Sequence, residues 1–279
     1  MRLGGPIFAD YETPDEWARA VRAAGYSAAV AQLPLDAPDQ TLDAYRNAAQ
    51  RHDIVIAEVG AWGANPLHRD DAERRRGLET IKTRLQQADR LGARCCVNIA
   101  GTTFVRKQGE PVPNQLTDEV FALIVDSVRE IIDEVRPTRT FYALETMPWL
   151  LPNTADSYVS LLNAIDRGRF AVHFDPVNLI TSPERYYNNA GVIREFCEKL
   201  GPHIKSCHAK DIVLRHELTV HLYETRPGLG NFDFEVYLRE INELDRDMPL
   251  MIEHLEGEDE YAEAAAYIRS IAEAEGIEL

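Results

Sequence analysis

Residues 140–175 read TFYALETMPWLLPNTADSYVSLLNAIDRGRFAVHFD and contain one complete example of the pattern that runs through the chain. A short apolar run ends at Glu145, a segment of helical period starts at Thr154, and a second apolar run ends at Asp175. Largely apolar strands that alternate with helices are typical of a parallel sheet covered on both faces. The stretch therefore predicts one strand–helix–strand unit.

The same unit recurs along the whole chain. Eight apolar runs are each followed by a helix-like segment, and they begin near residues 2, 27, 54, 93, 140, 170, 204 and 249. The 279 residues give about 35 per unit, close to the size of a βαβ unit. Eight units of this size favour a closed (β/α)8 TIM barrel of the α/β class over a doubly wound sheet. Because no linker or break in composition interrupts the pattern, residues 1–279 are predicted to form a single domain.

Composition and charge exclude several classes of protein. The chain has 46 acidic and 30 basic residues, a formal net charge of −16, which disfavours nucleic acid and anionic membrane surfaces as partners. No apolar run approaches the roughly 18 residues that cross a bilayer. The N-terminus does not resemble a secretory signal, and the spacing of the four cysteines does not suggest a disulfide framework. We therefore expect a cytoplasmic protein.

Two long loops follow predicted strands. Residues 101–115 follow the fourth strand, and residues 212–231 follow the seventh. Within the second loop, LTVHLYE alternates between apolar and polar residues, which predicts a small hairpin with the preceding IVLRH. In a TIM barrel the loops after the strands form the active-site face, so both loops are expected to be functional.

Four consecutive strands each end in a residue of a metal-ligand type. Glu145, Asp175, His208 and Glu253 end strands five to eight, at separations of 30, 33 and 45 residues. One charged residue at a strand end is ordinarily just solvated, but four in equivalent positions are hard to explain in that way, and the three carboxylates among them would repel one another without a cation. Three carboxylates and one imidazole suit a single divalent ion, with Mn²⁺ preferred and Mg²⁺, Co²⁺ or Zn²⁺ as alternatives.

The motifs around these residues resemble the xylose isomerase-like TIM-barrel superfamily. The resemblance is most specific in LETMPW (144–149), HFDPVN (173–178), CHAKD (207–211), RPGLGNFDF (226–234) and MIEHL (251–255). The superfamily contains sugar and sugar-phosphate isomerases and epimerases, inosose dehydratases and endonuclease IV. The resemblance implies that Glu145, Asp175, His208 and Glu253 bind one divalent metal ion.

Three positions depart from the pattern of sugar epimerases in that superfamily. Many of them carry a histidine where this chain has Asn178, and ketose 3-epimerases carry a glutamate and an arginine where it has Leu151 and Leu214. These differences leave the metal ligands in place but weaken the assignment as a ketose 3-epimerase. The additional histidines that endonuclease IV needs for three zinc ions are missing.

Other side chains near the predicted site are candidates for substrate binding. Several of them also have a structural interpretation. Trp62 and His68 fit an ordinary surface loop, and His173 fits a layer of the barrel core. Lys210 fits an ion pair with Asp211, and Arg226 fits an exposed side chain. Lys210 is additionally a candidate catalytic group that stabilises an enolate. His254 is predicted to face the helices. The candidate substrate-binding residues are Trp62, His68, Asn98, His173, Asn178 and Arg226.

These features predict a divalent-metal-dependent sugar isomerase or epimerase. Its substrate is expected to be a small keto-sugar or related polyhydroxy carbonyl compound that reacts through a metal-stabilised enediolate, with Glu145 and Glu253 as acid and base. The alternative enzyme is a metal-dependent lyase, either a dehydratase or a decarboxylase, that acts on a keto-sugar or keto-acid. A non-catalytic sugar-binding barrel is disfavoured because both glutamates are intact. A small-molecule carbohydrate is the expected partner, and a homo-oligomer is expected.

Overall fold

A computed structural model describes residues 1–104 and 110–279 and contains a closed barrel of eight parallel strands. The predicted fold class is confirmed. Around the barrel the strands follow the order β1-β10-β7-β6-β5-β4-β3-β2. The barrel strands are β1 (Arg2–Gly4), β2 (Ala28–Val30), β3 (Val55–Gly60), β4 (Cys95–Asn98), β5 (Phe141–Glu145), β6 (Phe170–Phe174), β7 (Ile204–Ala209) and β10 (Pro249–Ile252).

Helices surround the barrel and carry the sequence signals that predict their ends. Thr13 and Glu16 form a capping box at the first helix, with Pro14 as its first residue. The third helix ends at Gly92 in the left-handed conformation, which glycine adopts without steric cost. The helices are α1 (Pro14–Ala23), α2 (Asp39–Arg51), α3 (Asp71–Leu91), α4 (Asp118–Val135), α5 (Ala155–Ile165), α6 (Pro183–Tyr187), α7 (Asn189–Leu200), α8 (Phe234–Leu244) and α9 (Gly257–Ala274).

A two-stranded hairpin follows β7 and confirms the prediction from the alternating sequence. Strands β8 (Asp211–Arg215) and β9 (His221–Thr225) are antiparallel, with Val213 opposite Tyr223. The hairpin stands at the carboxyl end of the barrel strands. Part of the other predicted loop, residues 105–109, lies outside the described residues.

The apolar core lies mainly between the barrel and its helices, whereas the inside of the barrel contains a polar layer. Large side chains such as Trp17, Tyr237 and Phe196 fill the outer shell and are fully buried. Inside the barrel, small residues of β4 and β5 form a separate apolar cluster. The buried side chains of His173, Ser206 and His208 contact that of Glu58, and we call these four described residues the polar layer.

Within residues 1–104 and 110–279, the helices are all too short or too polar to cross a membrane.

Candidate metal centre

Four ligand-type side chains meet at the carboxyl ends of four neighbouring strands. Glu145 is the last residue of β5, Asp175 follows β6, His208 is the penultimate residue of β7, and Glu253 follows β10. Parallel pairing brings these strand ends to one edge of the barrel, with Met251 next to His208 in register. One ligand atom from each of the four residues lies within 4.8 Å of the others.

The imidazole of His208 stands at the centre of this group. Its Nδ1 atom lies 2.7 Å from Oε1 of Glu253, 3.5 Å from Oε1 of Glu145 and 3.6 Å from Oδ2 of Asp175. Burial opposes the charged imidazolium, but the carboxylates around it outweigh burial and hold the pKa of His208 well above its ordinary value. The group therefore concentrates negative charge on one buried point.

Lys210 contributes a second positive charge to this group, in addition to the imidazolium of His208. Its Nζ atom lies 2.7 Å from both Oδ2 of Asp175 and Oε1 of Glu253. Burial opposes the ionised carboxylates, yet His208 and Lys210 outweigh it, keeping the pKa of Asp175 far below its usual range and lowering that of Glu253 to about 2. Both carboxylates are therefore ionised at neutral pH.

The donor set fits a divalent cation. Among the described residues, Nδ1 of His208 and Oε1 of Glu253 are buried and have ion-pair contacts, with each other and, for Oε1, with Nζ of Lys210, but none of these contacts has the geometry of a hydrogen bond. Two buried polar atoms that point to the same place without a hydrogen bond are costly unless another group satisfies them. Three carboxylates and one imidazole are a suitable ligand set for Mn²⁺ or Mg²⁺ and also for Zn²⁺ or Co²⁺.

Asn178 holds the carboxylates in place. Its side-chain amide donates to Oδ2 of Asp175 over 3.1 Å, to Oε1 of Glu145 over 3.3 Å and to the carbonyl of Thr146 over 3.0 Å. An amide at this position donates hydrogen bonds but does not exchange a proton at neutral pH. Asn178 therefore orients two of the ligands.

A cavity of about 1100 Å³ opens above the ligand group. Glu145, Glu253 and Lys210 form its polar floor, and two tryptophans, Trp62 and Trp149, lie in its wall. The hairpin contributes one side of the cavity through Ile212, Val220, Leu222 and Glu224. The cavity gives a small molecule direct access to the acidic residues.

The structure brings some of the predicted substrate-binding residues to this cavity and not others. Trp62 and Asn178 line it, as does Lys210. His68 lies in a neighbouring pocket, where its Nδ1 atom accepts the backbone N–H of Asp70. His173 lies below the site in the barrel interior and is completely buried.

Asn98 and Arg226 are placed away from the described cavity wall. Asn98 is fully buried and donates to the carbonyl of Ala64 over 3.0 Å, so it ties β4 to the loop after β3. The guanidinium of Arg226 lies 2.8 Å from the carboxylate of Glu263 on α9. Both residues therefore have structural partners, and their contact with substrate stays a prediction.

His254 corrects the sequence-based prediction, which placed it against the helices. Strand β10 ends at Ile252, and His254 has a φ of 60°, so the alternation of a strand no longer applies there. Its side chain is 57% exposed and lines the cavity. Its Nδ1 atom lies 2.8 Å from Oε2 of Glu224, which the sequence analysis did not single out.

Asp211 has a structural role of its own and is not the ion-pair partner of Lys210, which was the structural alternative for that lysine. Its carboxylate accepts the backbone N–H groups of Gly228, Gly230 and Phe232 from the loop after the hairpin. A Cβ atom on Gly230 would collide with this carboxylate, so glycine is needed there. The loop from Gly228 to Asp233 therefore folds around Asp211, and Lys210 contacts the candidate metal ligands instead.

Glu58 is the buried group that the sequence-based prediction missed. It lies on β3 inside the barrel, where Oε1 is 2.9 Å from Nε2 of His173 and accepts the hydroxyl of Ser206. Oε2 is 3.5 Å from Nε2 of His208. Although burial opposes ionisation, the two histidines keep the pKa of Glu58 well below its ordinary value.

Comparison with known proteins gives one family and many similar folds. A family model described as a xylose isomerase-like TIM barrel matches residues 18–271. No curated protein sequence gives a significant match.

Three solved structures illustrate the similarity of fold. Endonuclease IV from Thermus thermophilus has a TM-score of 0.75 at 13% identity, covering 98% of this chain and 100% of that one. The 3-keto-D-glucoside 4-epimerase from E. coli has a TM-score of 0.69 at 16% identity, covering 97% and 99%. A xylose isomerase-like TIM-barrel protein from Mycobacterium smegmatis, in complex with magnesium, has a TM-score of 0.68 at 17% identity, covering 95% and 90%.

Proposed function

The chain belongs to the xylose isomerase-like TIM-barrel family, and on this basis we propose that it is a divalent-metal-dependent sugar isomerase or epimerase. The proposed substrate is a small keto-sugar or a related polyhydroxy carbonyl compound. One observation carries the proposal: Glu145, Asp175, His208 and Glu253 converge within 4.8 Å beneath an open cavity. Two of these carboxylates, Glu145 and Glu253, also reach the cavity itself.

The site has the parts that proton transfer next to a carbonyl group requires. A divalent cation held by the four side chains supplies Lewis-acid polarisation of the substrate carbonyl. Glu253, whose side chain is 21% exposed, is the proposed base that removes the proton from the adjacent carbon. Glu145 is more deeply buried and faces the same cavity, and we assign to it the return of a proton.

Lys210 is proposed to stabilise the negative charge that develops on the substrate oxygen. Its ammonium group is buried beside the carboxylates, and the pKa of Lys210 is held well above its ordinary value because Asp175 and Glu253 outweigh burial. We therefore assign to it a fixed positive charge and no role as a base. A fixed charge in a site shielded from water stabilises an oxyanion more strongly than one in bulk water.

The cavity wall supports a carbohydrate as the substrate. The apolar C–H face of a sugar ring packs well against an aromatic side chain, and Trp62 and Trp149 provide two such surfaces. Oxygen-rich neighbours such as Asn178 and Glu224 offer partners for hydroxyl groups. The magnesium found in the protein from Mycobacterium smegmatis and the epimerase activity of the E. coli protein are consistent with this proposal.

A lyase is the second candidate, and one observation favours it. Asn178 stands beside both Glu145 and Asp175, where many epimerases of the family carry a histidine, and an amide does not relay a proton. The same site would then expel water or carbon dioxide from a keto-sugar or keto-acid. A dehydratase needs one base that removes the proton next to the carbonyl, whereas a decarboxylase needs no base for the loss of carbon dioxide and only an acid that protonates the enolate left behind.

The buried cysteines support a reducing compartment, and we propose the cytoplasm. Cys95, Cys96, Cys197 and Cys207 are all free and buried in the structure.

Deuterium exchange tests the proposed reaction and separates the two candidates. Protein loaded with Mn²⁺ is incubated in deuterated water with a panel of ketoses, 3-keto-glycosides and keto-acids. An isomerase or epimerase is expected to introduce deuterium next to the carbonyl and to give an isomer of equal mass apart from deuterium. A lyase instead releases water or carbon dioxide.

The matched control is Asp175→Asn, which changes a ligand but leaves both proposed acid–base residues in place. We expect it to lose metal and activity together. If exchange persists in a metal chelator, or the purified protein takes up no divalent ion, the proposed function is wrong.

A further inference from the structure

Glu58 is the one member of the polar layer that comes from the opposite side of the barrel. It lies on β3, whereas the candidate metal ligands come from β5, β6, β7 and β10. Ala29 of β2 pairs with Ile56, but Val30 pairs with Glu58, so β3 carries one additional residue at this point. A bulge of this kind redirects the side chains that follow it. Here it accompanies a carboxylate that is completely buried inside the barrel.

Both oxygens of Glu58 are used, and they have different partners. Oε1 is shared by the imidazole of His173 and the hydroxyl of Ser206. Among the described residues, the only hydrogen-bond partner of Oε2 is Nε2 of His208, and the two atoms are 3.5 Å apart. A buried carboxylate is costly unless hydrogen bonds compensate it. His173 and Ser206 therefore hold Glu58 in the orientation that presents Oε2 to His208.

The position of His208 between two acidic groups determines which nitrogen is available to a cation. Nε2 faces Glu58, and Nδ1 faces the group formed by Glu145, Asp175 and Glu253. An ionised carboxylate only accepts hydrogen bonds, so Nε2 must carry its proton. In the neutral ring that binds a metal, the lone pair then belongs to Nδ1.

We propose that Glu58 is a positioning residue for the candidate metal centre: it fixes His208 as the Nε2–H tautomer and directs Nδ1 to the cation. The inference rests on the metal dependence in the proposed function but not on the reaction or its substrate. Carboxylates that accept a hydrogen bond from a metal-binding histidine orient the ring and strengthen the ligand. Glu58 thus acts through His208 without touching the metal or the substrate.

Metal affinity without substrate is the first test, with Zn²⁺ competing against a chromophoric chelator. Glu58→Gln keeps the size of the side chain but removes the charge. We expect it to bind Zn²⁺ about 10–100-fold more weakly. In a double-mutant cycle, Glu58→Gln should have little effect once His208→Ala has removed the ring. An equal loss with and without His208 would show a purely structural role and overturn the proposal.

Nitrogen NMR on the unmodified protein is the second test, and its result does not depend on whether a variant folds. In Zn²⁺-loaded protein labelled with ¹⁵N-histidine, His208 is expected to show a proton on Nε2 and metal-shifted Nδ1. A metal-shifted Nε2 would refute the inference. If both tests succeed while no substrate of the panel exchanges deuterium, the reaction has been assigned wrongly and the role of Glu58 stands.

Discussion

Lys210 and Asp175 form a buried ion pair, with Nζ of the lysine 2.7 Å from Oδ2 of the aspartate. The same ammonium group lies 2.7 Å from Oε1 of Glu253, so one fixed positive charge serves two of the four candidate metal ligands. This charge lowers the repulsion among the carboxylates when no cation is bound, and it opposes the binding of a cation. Lys210 therefore does not help to bind the cation. We propose that its role is to stabilise the negative charge that develops on the substrate oxygen.

Lys210→Met separates these two effects. Methionine has a similar length and no charge, so the loss of repulsion should tighten binding of Mn²⁺ by about 10-fold, or about 1.4 kcal/mol. Turnover should nevertheless fall by about 10²–10³-fold, because the developing oxyanion loses its fixed charge. Isothermal titration with Mn²⁺ and steady-state kinetics on the same preparation measure both. Unchanged kcat in the variant would remove Lys210 from the mechanism.

Asp211 is expected to behave differently although it adjoins Lys210 in the chain. Asp211→Asn weakens the acceptor for the N–H groups of Gly228, Gly230 and Phe232. We expect the free energy of unfolding to fall by about 2–3 kcal/mol in urea titrations. The number of Mn²⁺ ions bound per chain should remain the same. Loss of the metal from a variant that is still folded would show that Asp211 belongs to the metal centre.

The sequence predicted the barrel and the meeting of Glu145, Asp175, His208 and Glu253 at one place because both depend on local patterns. Each apolar run ends where its polar residue begins, and parallel strands necessarily bring those ends together. The hairpin was predicted for the same reason, since its alternation is confined to one short segment.

Glu58 and His254 could not be predicted in this way. Glu58 interrupts the apolar run of β3, and its direction follows from a bulge that appears only when β2 and β3 are paired. His254 follows the strand in a left-handed conformation, which cancels the assumed alternation. Asn98 is of a suitable type at a suitable depth, but the carbonyl of Ala64 uses its amide. Strand pairing orients Glu58, a left-handed backbone conformation orients His254, and a contact with a loop orients Asn98. None of these three causes is visible in the local sequence pattern.

Asp89 predicts a pH-dependent contribution to stability away from the site. At the end of α3 its carboxylate accepts the N–H groups of Thr138, Arg139 and Thr140. Partial burial raises the pKa of Asp89, but these hydrogen bonds outweigh burial and lower it overall. Because the folded pKa lies below the unfolded value of about 3.9, the stabilisation is present above that value. It is lost as the pH falls through the folded pKa.

Asp89→Asn should therefore destabilise the protein by about 1 kcal/mol at pH 7, a modest value because the group is partly exposed. The difference from the unmodified protein should be constant above about pH 5 and should shrink as the pH falls below about 4, through the folded pKa of Asp89. Urea unfolding at several pH values measures it. Asp126→Asn on the exposed surface of α4 makes the same charge change and serves as the control. A difference that is independent of pH would contradict the assignment.

Glu253→Gln separates proton transfer from metal binding. Glutamine has the same shape and leaves one ligand oxygen, so the variant should fold and bind Mn²⁺ when the ion is in excess. It cannot accept a proton, so kcat should fall by about 10²–10⁴-fold at saturating Mn²⁺ and substrate. Deuterium incorporation next to the carbonyl should fall by the same factor, because both depend on one proton-transfer step.

Asp175→Asn is the matched control: as a proposed ligand without a proposed proton-transfer role, it should recover much of its activity when the concentration of Mn²⁺ is raised. If excess Mn²⁺ also restores full turnover to Glu253→Gln, then Glu253 is a metal ligand only, and Glu145 becomes the remaining carboxylate in the cavity floor that can take the proton.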